Sequence, residues 1–101
     1  MILLNVSLAA QQGQDDAVKS LLLETMTASQ AEDGCILYRF TADLTEPGVF
    51  HLVEMWRDEA ALVAHLKGPV LRGFIERLQA SGTLLSSTAW RGDMSPYQVP
   101  R

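Results

Sequence analysis

Over Ile2 to Ala9 the apolar residues at 2, 4, 6 and 8 alternate with Leu3, Asn5 and Ser7, the two-residue period of a strand with one buried face. Past Gln12-Gly13-Gln14 the period lengthens. Apolar positions 17, 18, 21, 22 and 26 predict a helix from Asp15 to about Ala31, with Asp15 and Asp16 at the positive end of its dipole. Cys35 to Leu44 is again rich in β-formers, and Ile36, Tyr38, Phe40 and Ala42 are expected to oppose Leu37, Arg39 and Thr41. Thr45-Glu46-Pro47-Gly48 is a turn signal, so the strand from Val49 to Trp56 is expected to run back antiparallel. Asp58 is placed to cap a short helix ending near Lys67. Gly68-Pro69 interrupts it, and Val70, Leu71, Phe74, Ile75 and Leu78 mark another helix that Ser81-Gly82 closes. Thr83 to Arg91 reads as a fourth strand, and Gly92 to Arg101, with Pro96 and Pro100, as an extended tail.

The order β-α-β-β-α-α-β predicts an α+β, ferredoxin-like split βαβ protomer: a four-stranded antiparallel sheet with helices on one face. The expected organisation is one domain over 1–91 and a tail over 92–101. Burial then raises a difficulty. The third strand is apolar on both faces, with Val49, Val53 and Met55 opposing Phe50, Leu52 and Trp56, and the first adds Leu3 to its outer face. Helices in so short a chain cover only one face, and an open apolar face is a large patch. A second copy pressed sheet to sheet would cover it, so a homodimer is expected.

With 101 residues, 48% hydrophobic and 20% charged, the chain supports one core and is too apolar for disorder. The net charge of −4, with eight scattered basic residues, argues against a nucleic-acid footprint and against an anionic-membrane partner. No segment has the length of a membrane span, and Met1-Ile2-Leu3-Leu4-Asn5 lacks the basic start of a leader, which makes a cytoplasmic setting the expectation. The single Cys35 forms no intrachain disulfide and reads first as a small buried hydrophobe.

The candidate chemistry gathers at the end of the third strand. Glu54 and Trp56 are two residues apart and so share a face, and His65 lies on the helix that follows, on a stripe with Leu62 and Leu66. A carboxylate between Val53 and Met55 must be paired, hydrogen-bonded or protonated, so Glu54 is either a functional acid or a structural one paired with Arg39 or Arg57. Trp56 is core filler or a flat wall for a planar ring. His65 is a satisfied structural imidazole or a proton-transfer group suited to neutral pH. Tyr38 and Arg39 could reach the same cavity but are ordinary strand residues, and His51 falls on the face opposite Glu54. The chain offers no metal-ligand spacing, no Gly-x-Gly-x-x-Gly or phosphate loop and no Gly-x-Ser-x-Gly elbow, so neither a metal nor a nucleotide cofactor is indicated.

Taken together, Gly34-Cys35 to Tyr38, Phe50-His51-Leu52-Val53-Glu54-Met55-Trp56 and Ala64-His65-Leu66-Lys67-Gly68-Pro69 resemble the antibiotic biosynthesis monooxygenase family. The resemblance implies a dimeric α+β barrel of ferredoxin-like protomers. It also implies that Asn5, in the place of a strand-1 Asn common in the family, orients a carbonyl or an oxyanion. In the haem-degrading branch a Trp would stand where this chain has His65 and an iron ligand near Ile75, so haem is not expected, and Pro69-Val70 replaces a Pro-His found in many members. The implied activity is a cofactor-independent oxygenase acting with molecular oxygen on a small planar quinol or phenol. In that reading His65 is the base, Asn5 the oxyanion donor, Trp56 and Tyr38 the substrate wall and Glu54 the group that tunes the imidazole, although acid and base could be exchanged. The alternatives are a noncatalytic small-ligand-binding or stress-response dimer, and an isomerase or lactone-cleaving enzyme on the same scaffold.

Overall fold

The computed structural model describes residues 1–101 and consists of β1 (Ile2–Ala10), α1 (Asp15–Gln30), β2 (Cys35–Ala42), β3 (Val49–Trp56), α2 (Glu59–Lys67), α3 (Pro69–Ser81) and β4 (Gly82–Arg91). The strands form one antiparallel sheet in the order β2-β3-β1-β4, with all three helices on one face, as the hydrophobic periods predict. No helix is long and apolar enough to cross a membrane. The tail joins the body through Met1 and Gly92, whose main chains exchange hydrogen bonds of 3.0 and 3.1 Å.

Two apolar clusters lie between sheet and helices. Leu8, Val18, Leu21, Leu22, Phe50, Phe74 and Leu78 form one, toward the β2–β3 turn. Tyr38, Leu52, Trp56 and Ala61 form the other, where β3 ends and α2 begins. The strand period accounts for the division of β3: Phe50, Leu52, Glu54 and Trp56 are buried beneath helices, while Val49, His51, Val53 and Met55 face the open side. On that side Val53 is 37% and Trp90 52% exposed, and β4 is exposed along nearly its whole length.

Several local expectations are corrected. β2 stops at Ala42 rather than Leu44 because Asp43 turns the chain, its Oδ1 accepting from the Thr45 and Glu46 amides at 2.8 and 2.9 Å. The simple alternation in β2 fails at Ile36, because the register slips between Cys35 and Leu37 and leaves Ile36 half exposed. On α2 the buried stripe is Ala61 and His65, four residues apart, whereas Leu66 is 50% exposed. Ile75 likewise points outward, 46% exposed, because Phe74 and Leu78 carry the buried stripe of α3.

Gly34 sets how closely α2 approaches the sheet. It adopts φ +80, and a Cβ there would lie 2.4 Å from the Ala61 side chain. Only a glycine permits both that backbone and that contact. The Arg57 amide then bonds to the Gly34 carbonyl at 2.8 Å, and Asp58 caps α2 by accepting from the Ala61 amide at 2.9 Å.

Candidate site at the β3–α2 junction

Glu54, Trp56 and His65 converge as their spacing predicts, and Tyr38 joins them from β2, opposite Glu54 in the register. The Trp56 indole N–H donates to Glu54 Oε1 at 2.8 Å. The His65 ring lies 4.5 Å from the indole, tilted by 30°, and 5.5 Å from the Tyr38 ring, which meets it edge-on. Glu54 is therefore satisfied by an indole, and the expected pairing with Arg39 or Arg57 is not made; Arg57 instead bonds Asp33 and Asp58.

A further polar group escapes sequence reasoning. Glu32, in the turn after α1, places Oε1 2.7 Å from His65 Nδ1. The turn fixes its main chain: the Glu32 amide bonds to Ser29, and its carbonyl accepts from Cys35. No periodicity marks a turn carboxylate as the partner of an imidazole 33 residues away. The one available signal is that a buried His needs a partner for each ring nitrogen.

Burial dominates the electrostatics. Desolvation raises the pKa of Glu54 above the ordinary glutamate value; the Trp56 hydrogen bond and a charge on His65 oppose the shift, and Glu32 adds to it. Tyr38 is held far above the usual phenol range, first by burial and then by the Glu54 charge, so its hydroxyl stays protonated. Cys35, packed against the cluster, has its thiol raised by burial and by Glu32 and Glu54, and its environment does not make a thiolate.

Trp56, Tyr38 and His65 are 0%, 1% and 1% exposed, so the indole and phenol pack on the imidazole and present no open wall. The cluster meets the surface on one side, at a groove of about 300 Å³ where Glu32, Arg57, Ala60, Ala64 and His65 contribute to the lining. Asn5 is not brought to this site. Its partner across the β1–β3 ladder is Val53, so it lies on the open face, exposed, while Leu4 occupies the position opposite Glu54.

The open face has a polar chain of its own. Ser7 Oγ lies 2.9 Å from His51 Nδ1, and His51 Nε2 lies 2.7 Å from Asp43 Oδ2. Asp43 is held well below the usual carboxylate range, first by His51 and then by the Thr45 and Glu46 amides and the Thr45 hydroxyl. The order Ser-His-Asp is that of a nucleophilic triad. However, β1 is paired on both sides at Ser7, so its amides serve the ladder and give no donor for an oxyanion.

The fold and the buried acid–indole–imidazole cluster are those of a ferredoxin-like α+β protein with a group of polar residues built into one end of its core. The profile of the antibiotic biosynthesis monooxygenases matches residues 1–77, and the chain belongs to that family. A Deinococcus radiodurans protein assigned provisionally to these monooxygenases superposes with a TM-score of 0.88, at 27% identity over 99% of this chain and 100% of that one. SnoaB, a cofactor-independent oxygenase from Streptomyces nogalater, superposes at 0.79 over 93% of this chain and 94% of its own; at 13% identity the likeness is one of fold. An uncharacterized Synechocystis protein, sll1783, is 43% identical over 49 residues, which are 48% of this chain and 33% of the cyanobacterial one. This chain thus matches about a third of that protein's length.

Proposed function

We propose that the protein is a homodimeric monooxygenase acting on a small planar phenol or quinol, with the substrate supplying the electrons and His65 serving as base. The carrying observation is that a fully buried imidazole, gripped by Glu32 at 2.7 Å and lying on Trp56, borders a groove open to solvent. A carboxylate on one ring nitrogen fixes the ring and stabilises its cation, the arrangement a general base requires. Trp56 supports the base from beneath, and Glu54 holds Trp56. The phenolic ring would lie over Ala60 and Ala64, with Arg57 facing the oxyanion.

In this reaction the phenol loses its proton to His65, and the anion passes one electron to O2. Superoxide and the aryloxyl radical couple at carbon, and the proton held on His65 passes to the peroxide anion to give a hydroperoxide and restore the base. Loss of water leaves a carbonyl, so phenol and O2 give quinone and water, with one atom of the O2 in each product. Removing a general base typically costs a hundredfold to ten-thousandfold, roughly, in rate. His65→Ala should therefore abolish oxygen uptake on a panel of naphthols and quinols while the fold is retained. Unchanged uptake by this variant would refute the assignment.

The dimer is proposed from the exposed Val53 and Trp90 on the open face, and light scattering should report twice the chain mass. The second reading is a noncatalytic ligand-binding role at the same groove, in which the buried Glu32–His65 pair only shapes the wall. It is distinguished by ligand binding without oxygen uptake.

A further inference from the structure

At the end of the sheet away from Trp56, a groove of about 270 Å³ runs between α1 and the edge strand β2. Its α1 wall is Lys19, Leu22, Leu23 and Met26, spaced three and four apart and so on one side of the helix. Its floor includes Phe40 and Phe50. The opening has a definite cause in the sequence. Ala42 stands directly across the ladder from Phe50, and its single methyl leaves room for the groove beside the otherwise buried Phe50 ring. A larger residue at the strand end would fill the space.

Two further features give the groove a chemistry. Leu23 is 61% exposed at its rim, although the two other leucines of α1, Leu21 and Leu22, are buried. Lys19 lines the same groove and takes part in none of the ion pairs of the protein, even though Asp15 and Asp16 lie a turn back on α1. In a chain of net charge −4, an uncompensated ammonium beside apolar walls complements an anion that carries an apolar body.

We infer that this groove is a seat for a planar aromatic monoanion, with its ring against Met26, Phe40 and Phe50 and its carboxylate at Lys19. Size sets the class. A dry cavity of roughly 150 Å³ already admits benzene, so this groove has room for a second fused ring and a carboxylate. Aromatic walls and a thioether favour a flat ring over a branched chain. The seat shares no residue with the groove at His65 and does not rest on the functional reading given above.

The test uses 2-naphthoate and its neutral analogue 2-naphthamide, titrated into the whole protein by calorimetry and by amide chemical shifts. The naphthoate should bind one per chain, with the largest shifts at residues 22, 23, 26 and 40–42. An exposed ion pair contributes about 0.2–1 kcal/mol, so Lys19→Gln should weaken naphthoate about 1.4- to 5-fold at low salt and leave the amide unchanged. Ala42→Phe should abolish binding of both by filling the groove. Leu23→Glu, at an exposed rim position that leaves the fold intact, should weaken naphthoate more than the amide. Absence of binding, shifts elsewhere, or equal affinity of all variants for naphthoate would overturn the proposal. So would dissociation of a dimer by Leu23→Glu with no naphthoate binding by the wild type, which would assign the groove to a second copy.

Discussion

Glu32 holds His65 by one ring nitrogen at 2.7 Å while the opposite side of α1's terminal turn runs into β2 through Gly34. One turn therefore both supplies the carboxylate and brings α2 close enough to meet it, since the Gly34 backbone lets Ala61 approach.

The first prediction concerns this pair. Glu32→Gln keeps a hydrogen-bonding group beside the ring but removes the charge that stabilises a protonated imidazole. Loss of the carboxylate orienting a catalytic histidine can cost up to about ten-thousandfold in turnover. The expected outcome is a large fall in kcat for oxygen uptake with little change in KM. The stability loss should stay near about 1–2 kcal/mol, since one hydrogen bond to a charged group is weakened. Steady-state kinetics and denaturant unfolding of the same preparation check it. If kcat is unchanged and only stability falls, the pair is structural.

The pH dependence of stability should carry the signature of Glu54. Its folded pKa is raised, so between the ordinary value of 4.5 and that raised value the folded state binds more protons than the unfolded one. Its contribution is thus fully present at acid pH and is lost as pH rises through the folded pKa. Glu54→Gln, which can still accept from the Trp56 indole, removes this loss. The difference in Tm, variant minus wild type, should grow with pH from about 4.5 and then level off. Parallel melting curves across that range would show that the carboxylate is not desolvated as described.

The face shared by Glu54 and Trp56 is legible because a strand's period is two, and the placement of His65 near them follows from the shortness of the β3–α2 connection. Asn5 is legible as well: the alternation of β1 sets it on the face opposite Leu4, and the structure keeps it there, across from Val53 and away from Glu54, so the family resemblance and not the period is what suggests a place in the site. What the chain does not display locally is register. Ile36 escapes for a related reason, since a bulge inserts a residue without altering the composition of the strand. Glu32 and Asp43 escape because both act from turns, where no repeating pattern exists to read.

Gly34 yields a prediction about architecture. A left-handed backbone costs a residue with a Cβ about 1–2 kcal/mol, and at Gly34 the added carbon would also press on Ala61 at 2.4 Å. Gly34→Ala should therefore destabilise by more than the backbone effect alone and displace α2, moving His65 relative to Glu32. Denaturant unfolding gives the first quantity and the His65 imidazole NMR shifts the second. A loss below 1 kcal/mol, roughly, with unshifted imidazole signals would mean that α2 has slack the described packing denies.

Asp43 should act on stability in the opposite sense to Glu54. It bonds His51 at 2.7 Å and accepts from the Thr45 and Glu46 amides, and its pKa is depressed below the ordinary aspartate value of 3.8. Below that value the unfolded state binds the proton more readily than the folded one, so stability falls as pH falls toward the folded pKa; above it the contribution is fully present. Asp43→Asn removes the charge and part of the turn. The gap in Tm between wild type and variant should be constant above about pH 5 and close on acidification below about 4, because protonation then costs the wild type what substitution has already cost the variant. The turn lies on the far side of the sheet's end from the His65 groove and shares no lining residue with it, so oxygen uptake at neutral pH should be unaffected. A gap that persists unchanged to pH 2, roughly, would show that the turn is held by shape and not by the Asp43 charge.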